Sequence, residues 1–396
     1  MRFFIKRWKI KKFIYLDHNA TTPLHPSVLE AMLPYLKDGY GNASSIHAKG
    51  REARAAVEHA REVIASFLGT KPGTIYFTSG GTESNNFALK GISFKNKEKG
   101  NHLIATRIEH PCIMDTCKFM ESQGFQITLL PVDREGRVSP VDLKKAITDK
   151  TILVSVMHAN NEVGTIQPIA ELVSLAKERG IYFHTDAVQT FGKIPLTVDE
   201  LGVDLLSVSA HKLYGPKGVG FLYIRKDVRV LAHQHGGHQE KKLRAGTENV
   251  AGIVGLGKAT SLAQEEMEKR ITHLKKLQET FYQGILKHLD DVILNGHPSE
   301  RVPGTINLGI KGVEGESMAI NLDLRGIGIS TGSACTAGSL EPSHVLVAMG
   351  VPSEYARGTI RFSLGYENTE EEIDYVIAET VKIVNRLRKI VAKHET

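Results

Sequence analysis

A lysine and an aspartate, each at the end of an apolar run, are the residues of this chain best placed to do chemistry. Lys212 follows the apolar stretch 203–208 and precedes the glycine-rich turn 215–220, and Asp186 ends the apolar run that starts at residue 181. Burial lowers the pKa of an amine and makes it nucleophilic, so such a lysine can form a Schiff base with a carbonyl cofactor. A lysine for an aldehyde and an aspartate for a pyridinium nitrogen are what pyridoxal 5'-phosphate (PLP) requires. Either residue alone is more often a surface lysine or a strand-end aspartate.

A glycine pair and a histidine could complete a cofactor site. Gly81 and Thr82 stand where an apolar run meets a helix start, and free amides plus a hydroxyl can cradle a phosphate there. His110 follows the next apolar run, and its ring could stack on a planar cofactor or move protons near neutral pH. Glycine turns before helices and histidines near turns are also common structural features, so that interpretation stays open.

Two amide residues follow apolar runs in the same way. Asn161 belongs to the polar segment 157–164, which either closes a turn or bonds a planar ligand. Gln189 lies three residues after Asp186. After a turn, this spacing can place both side chains on one side. The acid could then hold a proton on the ring nitrogen of a cofactor, and the amide could bond its phenolic oxygen.

Three later positions suit a phosphate, a sulfur nucleophile and a carboxylate. Thr247, in the polar segment 244–249, could present its hydroxyl to a phosphate or belong to a helix cap. Cys335 lies in the small, polar run 332–339, which predicts an accessible loop and a candidate nucleophile. Arg361 interrupts an apolar strand pattern, and its guanidinium fork suits a substrate carboxylate.

The cysteine and histidine patterns argue against a disulfide framework and a metal site. The chain has only three cysteines, and their spacing matches no zinc motif. His233, His235 and His238 resemble metal ligands, but no acid or cysteine cluster accompanies them, so we expect no metal. A low, odd cysteine count fits a reducing cytoplasm.

The charge of this 396-residue chain is concentrated at its start. Residues 1–13 carry six basic side chains and no acid, which equals the whole net charge of +6. The remainder is neutral, so we expect no direct nucleic-acid binding. No apolar run approaches the length of a membrane span, and no membrane role is expected. We interpret the basic start as an arm rather than a targeting peptide or a contact for an anionic surface.

Alternating strand and helix patterns predict the elements that hold these residues. Helical patterns such as 50–68 and 169–179 lie between seven strand-like runs, at 74–78, 103–106, 126–130, 151–156, 181–185, 205–209 and 219–224. This predicts an α/β fold with a mostly parallel, seven-stranded sheet flanked by helices. After residue 248 the pattern changes to a long helical stretch, 249–289 with a possible break, and then to a shorter α+β segment. We predict a large domain over 26–260 and a smaller α+β domain formed by 1–25 and 261–396.

The combination of Lys212, Asp186 and the loop around Cys335 resembles the cysteine desulfurases of the NifS/IscS family, in the class V aminotransferase superfamily. The resemblance extends from residue 15 to at least Arg361, and its motifs lie at 15–23, 41–47, 78–86, 209–212 and 335–346. It implies a PLP enzyme of fold type I that works as a homodimer. It also implies removal of sulfur from L-cysteine, which leaves L-alanine and a persulfide on Cys335.

The resemblance also assigns roles by motif. Lys212 binds the cofactor aldehyde, His110 stacks on the ring and Asp186 pairs with its nitrogen. Gln189 and Asn161 lie near the ring oxygen and the substrate, and Arg361 binds the substrate carboxylate. The phosphate is held by Thr82, Ser209 and His211, with Thr247 supplied by the other subunit.

Some points stay open after the resemblance. His18 and His238 depart from the family pattern, and the chain stops soon after its final helix, which leaves docking of an iron–sulfur scaffold uncertain. Iron–sulfur assembly, tRNA thiolation and molybdenum-cofactor pathways all remain candidate sulfur acceptors. A selenocysteine lyase, a fold-type I aminotransferase and a non-catalytic sulfur-relay partner are the alternative functions.

Overall fold

The structure is a computed structural model that describes residues 13–331 and 342–394. In these ranges the strands, in chain order, are β1 (Ile14–Tyr15), β2 (Ile75–Thr78), β3 (His102–Thr106), β4 (Gln126–Leu130), β5 (Thr151–Ser155), β6 (Tyr182–Asp186), β7 (Leu205–Ser209), β8 (Gly220–Ile224), β9 (Val292–Asn295), β10 (Thr305–Ile310), β11 (Ile327–Gly328), β12 (Ser330–Thr331) and β13 (Thr359–Ser363). The α-helices are α1 (Pro26–Lys37), α2 (Ala48–Leu68), α3 (Gly81–Lys95), α4 (Pro111–Ser122), α5 (Pro140–Ala146), α6 (Ile169–Lys177), α7 (Val198–Leu201), α8 (Val250–Leu286), α9 (Gly315–Asp323), α10 (His344–Ala348), α11 (Ser353–Ala356) and α12 (Glu370–His394).

Seven strands form the large sheet, in the order β2-β8-β7-β6-β5-β3-β4. The neighbours from β4 to β7 pair in parallel, whereas β8 runs antiparallel to both β7 and β2. The central strands β5 and β7 are buried along their whole length, which is why they read as continuous apolar runs. This confirms the predicted α/β fold with a mostly parallel sheet.

Alternate side chains of the large sheet belong to two different apolar cores. Leu206 and Phe221 pack into one core with α2, α6 and the first part of α8. Their neighbours Leu205 and Leu222 pack into the core on the other side, with α3 and α4. Because successive strand residues point to opposite faces, both faces of the sheet are covered by helices.

A second sheet has its own core. Strands β12, β13, β10 and β9 pair antiparallel in that order, and β1 pairs in parallel with β11 beside them. Ile306 and Phe362 of this sheet pack with residues of α12 and with Ile14 and Leu16 at the start of the chain. The domain boundaries themselves stay a prediction.

Helix α8 joins the two cores without a break. Its first part contributes Ile253 and Leu256 to the large-sheet core, and its last part contributes Leu277 and Phe281 to the second core. The acidic and basic stretch 265–270 lies between these contacts and is more exposed. The possible break in the predicted stretch 249–289 does not occur within Val250–Leu286. Of the helices described, none has the length and apolar character needed to cross a membrane.

Candidate active site

A cavity of about 280 Å³ lies at the carboxyl ends of the parallel strands of the large sheet. Asp186 and Ser209 are the last residues of β6 and β7, and Lys212 follows three residues later. In open parallel sheets, ligands bind at this edge because successive loops converge there. The volume is near the lower end of small-molecule sites, which span about 300–1,000 Å³.

The cavity brings together most residues that the sequence singled out. Ten of them line it: Gly81, Thr82, His110, Asn161, Asp186, Gln189, Ser209, His211, Lys212 and Arg361. Thr247 lies outside its lining, and Cys335 lies outside the described residues. Convergence of residues from six separate loops and strands on one cavity is the geometry that a shared ligand requires.

Lys212 is half-buried and held by backbone oxygens. Its Nζ donates to the carbonyls of Asn19 and Ala20, both at 2.6 Å. Two residues later, Tyr214 takes the left-handed φ of 64°, an unfavourable conformation for a non-glycine residue. Thr22 Oγ1 accepts a hydrogen bond from the Tyr214 amide at 2.8 Å, and the ring packs on Tyr366. These contacts fix the backbone that carries the lysine.

Asp186 is buried and accepts two hydrogen bonds. Asn85 Nδ2 donates to Oδ2 at 2.7 Å, and the Val188 amide donates to Oδ1 at 2.9 Å. Burial raises the pKa of Asp186, while these bonds and the nearby His110 and Lys212 act in the opposite direction. A buried carboxylate in this setting gains from a cationic partner in the cavity.

The start of α3 offers free donors toward the same cavity. No side chain caps this helix, and its N-cap residue is Gly80. A Cβ at Gly81 would approach Val188 Cγ2 to 2.7 Å, so only glycine lets the backbone come this close. Thr82, Ser209 and His211 line the space in front of the helix. Backbone amides with two hydroxyls and an imidazole are suitable donors for a phosphate.

His110 is the N-cap of α4 and is held in one tautomer. Its Nδ1 accepts a hydrogen bond from the Cys112 amide at 3.2 Å and lies 3.0 Å from Cys112 Sγ. Burial lowers the pKa of His110, which favours the neutral ring. With Nδ1 as acceptor, the proton of the neutral ring is on Nε2. A neutral, oriented ring suits both stacking and proton transfer.

Arg361 reaches the cavity from β13 of the second sheet. Its Nη2 donates to Asp17 Oδ1 at 2.7 Å and its Nη1 to the Asn161 carbonyl at 2.9 Å. Nε is buried and has no hydrogen-bond partner within the described residues. Since each Nη atom carries two N–H groups, the guanidinium keeps donors for a bound carboxylate. Asp17 is a partner that the sequence did not reveal.

Asn19 and Asn85 are two cavity residues to which the sequence alone assigned no role. Asn19 Nδ2 donates to the Asn161 carbonyl at 3.2 Å and to Thr305 Oγ1 at 3.0 Å, which links the two sheets. Asn85 lies three residues after Thr82 on α3, so the helical period could have identified it. Asn19 meets partners more than 140 residues away, and no local pattern reveals such a contact.

His18 and the three histidines at 233–238 that resemble metal ligands do not line the cavity. His18 is buried, with Nδ1 2.9 Å from the Ser363 carbonyl and Nε2 3.1 Å from Glu367, so its role is structural. His235 and His238 are exposed. In the two described ranges, no group of three or more possible ligands is arranged to hold a metal ion.

Glu109, beside His110, makes stability depend on pH. Its carboxyl is fully buried, and Oε1 accepts from Thr106 Oγ1 at 2.8 Å and from the Met157 amide at 3.0 Å. Burial raises the pKa of Glu109 from 4.5 to about 8. Between these values the unfolded chain is ionised and the folded protein is not, so stability falls as pH rises, by about 1.4 kcal/mol per pH unit.

Glu109→Gln removes this dependence. From pH 5 to pH 7 the free energy of unfolding of the variant should gain about 2–3 kcal/mol relative to the wild type. Urea unfolding followed by circular dichroism at both pH values measures the difference. Glu98→Gln, at an exposed glutamate, is the matched control and should follow the wild type. If the free energy of unfolding changed with pH in the same way for Glu109→Gln and the wild type, Glu109 would not be protonated in the folded protein as expected.

The chain belongs to the class-V aminotransferase family, whose model matches residues 14–376. Among curated relatives, the protein named cysteine desulfurase IscS from Dictyoglomus turgidum is 57% identical over 381 residues, 96% of this chain and 97% of the relative. The human protein named cysteine desulfurase is 49% identical over 380 residues, 95% of this chain and 83% of the relative. At these identities, the predicted resemblance to the NifS/IscS group is confirmed.

Solved structures show the same architecture. A structure described as a NifS-like protein has a TM-score of 0.89 at 40% identity and covers 94% of this chain and 99% of its own. A structure described as SspA in complex with cysteine has a TM-score of 0.80 at 39% identity and covers 90% of this chain and 100% of its own. These matches confirm the predicted fold.

Proposed function

We propose that this protein is a PLP-dependent cysteine desulfurase. It takes the sulfur of L-cysteine, releases L-alanine and forms a persulfide on Cys335. The observation that carries the proposal is the meeting of Lys212, Asp186 and Arg361 at one cavity, with the donor-rich start of α3 beside them. The relatives named cysteine desulfurase, and the similar protein whose structure contains cysteine, support the same reaction.

The residues present fit PLP as a cofactor. Gly81, where a Cβ would collide with Val188, provides room and backbone donors for a phosphate, together with Thr82, Ser209 and His211. Asp186, oriented by Asn85, would hold a proton on the pyridine nitrogen. When bound, PLP would withdraw electrons from the α-carbon of the substrate amino acid, the carbon that carries the amino group, and from the carbon next to it. All other parts of the reaction depend on side chains of this protein.

Three side chains would bind and orient L-cysteine and move its protons. Arg361, fixed by Asp17 and the Asn161 carbonyl, binds the substrate carboxylate with its remaining N–H groups. The Lys212 amine takes the proton from the α-carbon, and His110, with its proton on Nε2, assists at the substrate sulfur. Arg361 is buried and Lys212 and His110 are half-buried, which strengthens the charge interactions among them.

The sulfur step is a nucleophilic attack by Cys335. Its thiolate forms an S–S bond with the substrate sulfur, and the bond between that sulfur and the β-carbon breaks, leaving its electron pair on carbon. Protonation of that carbon yields alanine, so atoms and electrons balance without an added oxidant. An acceptor thiol or a scaffold protein then removes the persulfide sulfur.

We further propose a cytoplasmic homodimer that supplies sulfur for iron–sulfur clusters or other thio-cofactors. Thr247 lies away from the cavity of its own chain, which fits a role in the partner's phosphate site. The relatives named IscS motivate the iron–sulfur acceptor. Few cysteines, rather than a disulfide framework, favour a reducing compartment.

The test is alanine formation from L-cysteine by the purified, PLP-loaded protein with a thiol reductant. One alanine should appear for each sulfide released. Turnover of selenocysteine without turnover of cysteine would identify a selenocysteine lyase instead. Alanine production that requires pyruvate would identify an aminotransferase. Absence of both PLP binding and turnover would contradict an enzymatic role and favour a sulfur-relay partner.

A further inference from the structure

Lys193 lies in a helical turn that follows Asp186 and points its amine at the cavity wall. The Phe191 and Lys193 amides donate to the carbonyls of Ala187 and Thr190 at 2.9 and 3.0 Å. Gln189 and Lys193 are four residues apart in this turn, and their side chains are in contact.

The amine makes two hydrogen bonds to amide oxygens. Nζ of Lys193 donates to Gln189 Oε1 at 3.0 Å and to Asn19 Oδ1 at 3.3 Å. Burial, with the positive charges of Lys212 and Arg361, lowers the pKa of Lys193 to about 7. Neutral amines still carry two N–H groups, so both contacts persist whether or not the lysine is charged.

These contacts decide which end of the Gln189 amide faces the ligand. An amine donates and a carboxamide oxygen accepts, so Lys193 fixes the oxygen on its own side and the nitrogen on the other. Nε2 of Gln189 donates to the Asn19 carbonyl at 3.0 Å, the same oxygen that accepts from Lys212 Nζ. One N–H of Nε2 remains, and Gln189 lines the cavity.

We infer that Lys193 is a positioning residue: by holding Oε1 of Gln189 and Oδ1 of Asn19, it makes Gln189 a hydrogen-bond donor to the cavity. This rests on the proposed function, because the oxygen that such a donor would meet is the ring oxygen of PLP. Without Lys193, only the Asn19 carbonyl still holds the Gln189 amide. The amide is then less restrained, and its oxygen, which repels an anionic oxygen, can turn toward the cavity. The same lysine restrains Asn19, whose carbonyl holds Lys212.

The first test measures PLP affinity. Cofactor-free protein is titrated with PLP, and the dissociation constant is read from protein fluorescence. Lys193→Met, which keeps the length of the side chain but removes its donors, should bind about tenfold more weakly, the scale of one hydrogen bond. Lys193→Arg keeps a donor and should recover part of the loss. Lys226→Met, at an exposed lysine after β8, should match the wild type.

A double-mutant cycle tests whether Lys193 acts through Gln189. Gln189→Ala should weaken PLP binding, and adding Lys193→Met to it should cause little further loss, because the shared effect is already gone. The visible absorbance band of the loaded protein gives a second reading. Losing an oriented donor toward the ring oxygen favours its protonated form, so the pH of the spectral change should rise in Lys193→Met by about one unit.

Several results would overturn the inference. Unchanged PLP affinity in Lys193→Met, or losses that add fully in the double variant, would show that Lys193 does not act through Gln189. If Lys193→Met fails to fold, Gln189→Glu decides: it replaces the donor with an oxygen and should bind PLP no better than Gln189→Ala, and wild-type affinity would contradict the inference. A wild type that does not bind PLP would overturn the proposed function as well, whereas normal wild-type binding confines the failure to Lys193.

Discussion

Replacing Lys212 with alanine is expected to slow alanine release from L-cysteine by about 10²–10⁴-fold from the lost proton transfer alone. The lysine amine lies at the cavity and is held by the Asn19 and Ala20 carbonyls. The neighbouring amine of Lys193 is held by the Gln189 and Asn19 side chains instead, so it does not occupy the same position. Rates of alanine formation at saturating L-cysteine, with PLP in excess, measure the effect.

Lys226→Ala is the matched control, since it removes an exposed lysine from the turn after β8. It should retain wild-type turnover and PLP absorbance. The melting temperature of Lys212→Ala should stay close to that of the wild type, which separates loss of chemistry from loss of fold. Turnover near the wild-type level in Lys212→Ala would exclude this lysine from the reaction.

The apolar pattern predicts the large sheet well because most of its strands, such as β3, β5, β7 and β8, are buried on both faces. Predicted runs and observed strands differ by about one residue at their ends, as in 151–156 against Thr151–Ser155. Since functional side chains follow the carboxyl ends of such strands, Lys212 and Asp186 could be recognised from the sequence as well. Lys212 and Asp186 lie at the same cavity because of the order of the strands in the sheet. The local apolar pattern of the sequence does not contain that order.

Contacts between the two sheets could not be predicted. Asp17 and Arg361 pair across 344 residues, and Asn19 meets Thr305 across 286 residues. No helical or strand period relates positions so far apart. Lys193 was missed for a different reason: a lysine in a turn reads as a solvated side chain, and only the fold shows that its amine contacts Gln189 and Asn19.

Cys335→Ala is expected to abolish alanine release, by at least about 10³-fold, in the range seen when a covalent nucleophile is removed. Residue 335 lies outside the described residues, so this expectation rests on the sequence motif and the relatives. Alanine and sulfide are measured together, for the wild type and for the variant, under reducing conditions.

Cys112 is the cysteine that competes for this role, because it lines the cavity. Its Sγ lies 3.0 Å from His110 Nδ1 and accepts from Asn85 Nδ2 at 3.2 Å. Burial, together with the negative charge of Asp186, raises the pKa of the Cys112 thiol to about 12. At pH 8 only about one such thiol in ten thousand is ionised, and the thiolate is the attacking species.

The two cysteines can therefore be distinguished by one pair of variants. Cys112→Ala should keep most of the alanine release, and trapping with an alkylating reagent followed by peptide mass spectrometry should find the persulfide on Cys335. Cys112→Ala removes the sulfur beside Nδ1 of His110 but not the backbone amide that also donates to it, so the ring should keep its tautomer. A persulfide found on Cys112 would reverse the assignment. It would also require a base in the cavity strong enough to ionise a buried thiol, and His110, whose pKa is lowered by burial, does not meet that requirement.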